Sequence, residues 1–132
     1  MAGGWRGMAA GAGTSDRERH QRGRDAERRA ERALVARGYR IVERNYRARI
    51  GELDLVAYDG DVLVFVEVRS RRDGAYGGGL AALPHAKQRQ VARMAAQYLA
   101  HRRPRFRTCR FDVVAITGPD LVIIPGAFHV TW

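Results

Sequence analysis

The sequence predicts an α/β domain, a mixed sheet of four to five strands flanked by two main helices. Three features predict it. Two apolar-rich runs meet at a tight turn over 51–70, and helical periodicity appears over 16–37 and again over 84–101. Two further strand-like runs close the chain.

The elements follow in order. Residues 1–15 are rich in Gly and Ala without periodicity and read as a disordered tail, leaving 16–132 as a single domain. From Asp16 to Arg37, Ala26, Ala30, Ala33 and Leu34 form a narrow apolar stripe, and Gly38 stops the helix. A short strand is expected at Tyr39–Glu43. Strands at Gly51–Tyr58 and Asp61–Ser70 are joined by Asp59-Gly60, a favoured hairpin dipeptide. Arg71–Gly79 reads as a polar, Gly-rich loop. Pro84 suits the first position of a second helix, whose core stripe is Val91, Met94, Ala95, Tyr98 and Leu99. Strands at Cys109–Thr117 and Leu121–Pro125 flank a Gly118-Pro119 turn.

Composition narrows the function. The chain has 132 residues with 45% hydrophobic content, enough for an ordinary core. No apolar run is long enough to span a membrane and no signal peptide is visible, so a cytoplasmic protein without a membrane partner is expected. The single cysteine, Cys109, excludes an intramolecular disulfide framework and a cysteine-cluster zinc site. There are 24 Lys plus Arg against 14 Asp plus Glu, a net charge of +10, of which only Arg6 lies before residue 16. The basicity therefore belongs to the folded part and favours a polyanionic partner, nucleic acid foremost.

The hairpin carries the candidate chemistry. A two-residue turn at Asp59-Gly60 sets Asp54 opposite Phe65 and Glu52 opposite Glu67. Alternation then places Glu52, Asp54, Glu67 and Arg69 on one sheet face, with Leu53, Leu55, Val64 and Val66 on the other. Asp54 becomes diagonal to Glu67, at a Cβ separation of about 7–8 Å. Three acids crowded on a half-apolar face repel one another unless a cation compensates. All-oxygen donors point to Mg²⁺ or Mn²⁺, held by Asp54, Glu67 and Glu52. A solvated face balanced by arginines is the bland alternative for any one of these acids.

Two motifs, Gly51-Glu52-Leu53-Asp54-Leu55 and Phe65-Val66-Glu67-Val68-Arg69, resemble the YraN-type family of small endonuclease-like proteins. So do Asn45-Tyr46-Arg47, Tyr76-Gly77, Lys87 and Arg110-Phe111-Asp112-Val113-Val114. The resemblance implies a restriction-endonuclease-like fold, also seen in archaeal-type Holliday-junction resolvases, with an Asp on one strand and Glu-x-Lys on the next. It implies that Asp54 and Glu67 bind metal and that Arg69 stands at the Lys position. Glu27 falls on an acid that several such nucleases contribute from a helix. Helical spacing puts Glu27 at the edge of the buried stripe, a position equally compatible with a solvated glutamate.

Arg at position 69 stays charged and can neutralise a phosphate but cannot serve as a base. Lys87, the chain's one lysine among 23 arginines, continues the second helix's buried stripe toward its N-terminus and is expected at the active site. Asp112 reads as a structural partner for an arginine. Three readings stay open: a Mg²⁺-dependent endonuclease acting on DNA, branched or single-stranded, an inactive nucleic-acid-binding module, or an interaction protein of a nucleic-acid-processing assembly. A homodimer suits a small chain that engages a two-stranded target.

Overall fold

The computed structural model describes residues 16–71 and 82–130. The predicted N-terminal tail and the Tyr76-Gly77 loop lie outside these residues. In order, the elements are α1 (Asp16–Ala36), β1 (Arg40–Ala48), β2 (Gly51–Asp59), β3 (Val62–Arg71), α2 (His85–Arg102), β4 (Thr108–Thr117) and β5 (Asp120–Phe128). The five strands form one sheet in sequence order. Only the β3–β4 pair is parallel, bridged by α2, and the other three pairs are antiparallel. The fold is the predicted one: α/β, with a mixed five-stranded sheet and two helices.

Each helix covers one face. Ala26, Ala30 and Leu34 of α1 pack with Leu55, Ala57, Val64, Val66 and Val114. Val91, Met94, Ala95 and Tyr98 of α2 pack with Val56, Leu63, Phe65, Phe111 and Val113 on the opposite side. The alternation along β3 feeds both clusters because both of its faces are covered.

Four sequence expectations need correction. The hairpin turn is Gly60-Asp61, with Tyr58 opposite Leu63 and Asp59 opposite Val62. Gly60 has φ +63° and Asp61 has no positive φ, so the glycine occupies the first turn position, as a II′-type turn requires. Moving a two-residue turn by one position preserves parity, so the β3 side chains keep their expected faces.

Leu53 is the second correction. It packs with Val56 in the α2-side cluster instead of with Leu55. The ladder of β2 with β3 ends at Leu55↔Val66, and beyond it the alternation slips by one residue.

The third is β1, which continues to Ala48 past a bulge between Ile41 and Glu43. The fourth is β5, which runs through Pro125 to Phe128. It is an edge strand, where a residue without an N–H is tolerated.

Candidate metal and phosphate site

The acids gather where β2 and β3 part. Just past the last ladder pair, the Val68 N–H donates to Asp54 Oδ2 at 2.8 Å, so a side chain replaces the strand carbonyl as acceptor. The gap admits groups from both faces of the sheet, not from the single face that strict alternation predicts. Glu27 reaches it from α1, Glu52 and Asp54 from β2, and Glu67 from β3. Glu27, Glu52 and Asp54 each bring a carboxylate oxygen within 4.8 Å of the others.

Glu67 does not join that trio. It is 6% exposed, and its Oε2 receives Lys87 Nζ at 3.1 Å. Its Oε1 is buried without a hydrogen-bond partner. A buried acceptor of this kind is costly unless something else satisfies it.

Burial pushes the Asp54 carboxyl up to about 8, and the neighbouring Glu67, Glu27 and Glu52 charges add to the rise. The Val68 N–H opposes it. Glu67 is also raised, first by burial, while Lys87 pulls the other way. Both shifts describe carboxylates crowded in a poorly solvated space.

Lys87 enters through the geometry of α2. Gly51 has φ +154°, and a Cβ there would lie 2.5 Å from Gln90 Nε2. That amide instead donates to the Ile50 carbonyl at 3.0 Å and ties α2 to the β1–β2 turn. Lys87 and Gln90, together with Arg47, Gly51, Glu52 and Asp54, bound a cleft of about 440 Å³. Glu67, Arg69, Leu83 and Lys87 bound an adjoining one of about 390 Å³. Arg69 lines the second, where its Nη1 donates to the Ala82 carbonyl at 2.7 Å.

Asn45 links the acids in a way that sequence reasoning alone missed. Its Nδ2 donates to Glu27 Oε1 and to Glu52 Oε2, both at 2.9 Å. It does so from φ +50° inside a strand. An asparagine in an otherwise strand-forming run was the available signal, since Asn is depleted in strands but tolerates the left-handed region. Asn45→Gly and Asn45→Ala both lose these hydrogen bonds, but Ala should be about 1 kcal/mol less stable than Gly because it alone pays for the left-handed backbone. Denaturant midpoints for the two variants check this, and equal midpoints would show that the backbone is not strained.

Asp112, as expected, is an arginine partner: Arg110 Nε reaches its Oδ1 at 2.8 Å. On β4 it stands opposite Val66, and its carboxylate also accepts from Tyr39 Oη and the Gly126 N–H.

Comparison with known proteins gives the chain a family. The family model described as uncharacterised protein family UPF0102 matches residues 26–116, which contain every candidate site residue. A UPF0102 protein of Symbiobacterium thermophilum is 49% identical over 112 residues, covering 81% of this chain and 95% of its own. One from Stutzerimonas stutzeri is 48% identical over 117 residues, covering 85% and 98%. The UPF0102 protein YraN of Salmonella agona is 43% identical over 113 residues, covering 84% and 86%. The chain belongs to the UPF0102 family, the YraN-type family that its motifs resemble.

Proposed function

We propose that this protein is a metal-dependent phosphodiesterase that hydrolyses DNA. One observation carries the reading: in a chain of net charge +10, Glu27, Glu52 and Asp54 bring their carboxylate oxygens together, and Asp54 feels the charge of Glu67, whose buried Oε1 is unsatisfied. Arg47 pairs with Glu52 and Lys87 with Glu67, but among the described residues no cation pairs with Asp54 or Glu27, and like charges brought together there favour one. The donors are all carboxylate oxygens, which suit Mg²⁺ or Mn²⁺ over softer ions. Glu27, Glu52 and Asp54 would hold the ion, with Glu67 beside them. When bound, such an ion supplies Lewis-acid stabilisation of charge on phosphoryl oxygens.

The protein's own groups have distinct tasks. Lys87 offers an ammonium in the first turn of α2, where the helix dipole also favours an anion, and it balances Glu67. Arg69 lines the same cleft and stays protonated, so it can neutralise phosphate but not accept a proton. Asn45 holds Glu27 and Glu52 at a fixed separation.

A second reading, a nucleic-acid-binding module without turnover, is favoured by Arg69 itself, whose guanidinium is tied to the Ala82 carbonyl. Incubating the purified protein with branched, single-stranded and duplex DNA in Mg²⁺, Mn²⁺ or EDTA separates the two. Cleavage with either metal and none in EDTA is the expected result. Lys87→Ala should cut that rate at least about tenfold, and Arg89→Ala less than twofold, because a charged donor at a phosphate is worth about 1.5–3 kcal/mol. Binding without cleavage under every condition would establish the second reading instead.

A further inference from the structure

We propose that a nucleic-acid strand lies in the groove between α1 and β1, with Arg24, Arg28 and Arg32 contacting consecutive phosphates. The groove has a volume of about 450 Å³ and includes Glu27 and Asn45, so it opens directly onto the carboxylate cluster. The three arginines stand four residues apart on one face of α1. Such a row places neighbouring Cβ atoms about 6 Å apart and runs for about 12 Å.

The row opens on the carboxylate cluster with little of its charge spent within the protein. Arg44, in the same groove, makes two hydrogen bonds to Glu31, while Arg102 and Arg107 pair with Glu43 and Asp61. Arg24 bonds only the neutral Gln21 side chain among the described residues. Arg28 pairs with Asp25, but both side chains are more than half exposed, and such a pair is worth little. Arg32 has no side-chain partner among the described residues. The one apolar residue in the lining, Leu55, is buried. The lining offers no exposed apolar side chain to enter a lipid surface and no aromatic ring on which a base could stack. Recognition there is of the backbone and tolerant of sequence.

The inference takes its occupant from the phosphodiesterase reading, yet it can be tested without turnover. Binding of a fluorescent DNA duplex is followed by anisotropy in EDTA across a range of KCl concentrations. The double variant Arg28→Gln/Arg32→Gln should bind at least tenfold more weakly at low salt. Its slope of log affinity against log salt should fall by nearly two, about 0.9 for each lost phosphate contact. Arg103→Gln/Arg105→Gln removes the same charge beyond the far end of α2 and should stay within about twofold of the unaltered chain. Thermal melts monitored by circular dichroism confirm that each variant is folded.

Equal losses in the two double variants would overturn the groove and leave only net charge. No DNA binding by the unaltered chain at low salt would overturn it outright, as would groove-dependent binding to anionic lipid vesicles but not to DNA. Groove-dependent binding without metal-dependent cleavage would support the groove and reject the phosphodiesterase. Cleavage that is indifferent to the groove residues would do the reverse.

Discussion

Asp54→Asn is expected to stabilise the metal-free protein near pH 8 and to lower divalent-metal affinity at least about tenfold. The stability effect follows from the direction of the Asp54 shift. Its carboxyl is raised from the ordinary 3.8 to about 8, first by burial and then by Glu67. Between these values the folded protein keeps a proton that the unfolded chain has released. Stability therefore falls as pH rises from about 4 to about 8, and below about 4 the Asp54 contribution is flat. Asparagine carries no charge at any of these pH values, so the variant loses that slope. Its amide oxygen can still accept from Val68 N–H, which keeps the strand junction intact. Metal acts in the opposite sense, because a cation favours the ionised carboxylate and drives the proton off. Mn²⁺ affinity of the unaltered protein should therefore climb as pH rises toward about 8. Calorimetric melts in EDTA at pH 5 and pH 8, with Mn²⁺ titrations of both proteins, provide the measurement. Undiminished Mn²⁺ binding by the variant would sink the site.

The parts of this site set by local periodicity are legible in the sequence, and those set by tertiary contact are not. Lys87 follows from the α2 stripe, since a residue four before Val91 must share its face, and it does meet Glu67. Glu67 follows from the β3 alternation, which survives the corrected turn because moving the turn by one position preserves parity. The turn itself misleads because Asp59-Gly60 and Gly60-Asp61 both offer a glycine, and they differ in that the first needs a positive φ at Asp59, which instead stays in the ladder opposite Val62. Asp54 and Leu53 depart from simple alternation because the ladder ends at Leu55↔Val66, and no local pattern marks that end. Glu27 depends on how α1 docks across the sheet. The reach of β5 past Pro125 depends on its being an edge strand, which only the strand order reveals.

Arg110→Met should be the most destabilising single change away from the acids, costing about 3–5 kcal/mol. Asp112 is 0% exposed and surrounded by donors. Arg110 reaches it twice, Nε to Oδ1 at 2.8 Å and Nη2 to Oδ2 at 2.9 Å. Tyr39 Oη donates to Oδ2 at 2.7 Å, and the Gly126 N–H to Oδ1 at 3.0 Å. The same guanidinium also holds Asp59 and the Tyr39 oxygen, so it joins β4 to β2 and to the start of β1. Burial pushes the Tyr39 hydroxyl up to about 12, and its bond to Asp112 pushes in the same direction, so Tyr39 stays a donor throughout the neutral range. Removing the arginine leaves a buried carboxylate with neutral donors only. Tyr39→Phe removes one charge-assisted bond and should cost less, about 1.5–3 kcal/mol. Adding Asp112→Leu to Arg110→Met should recover part of the loss, because the uncompensated charge goes with it, although the Gly126 N–H is then left without its acceptor. Urea midpoints for the unaltered chain, Arg110→Met, Asp112→Leu and the double variant supply the cycle, with Tyr39→Phe measured beside them. Mn²⁺ affinity measured where each remains folded should not change, since Arg110, Asp112 and Tyr39 bond one another, Asp59 and the Gly126 N–H, and none of the four acids. If the double variant is less stable than Arg110→Met alone, the carboxylate is held chiefly by Tyr39 and the Gly126 N–H, and the ion pair is not what secures β4 to its neighbours.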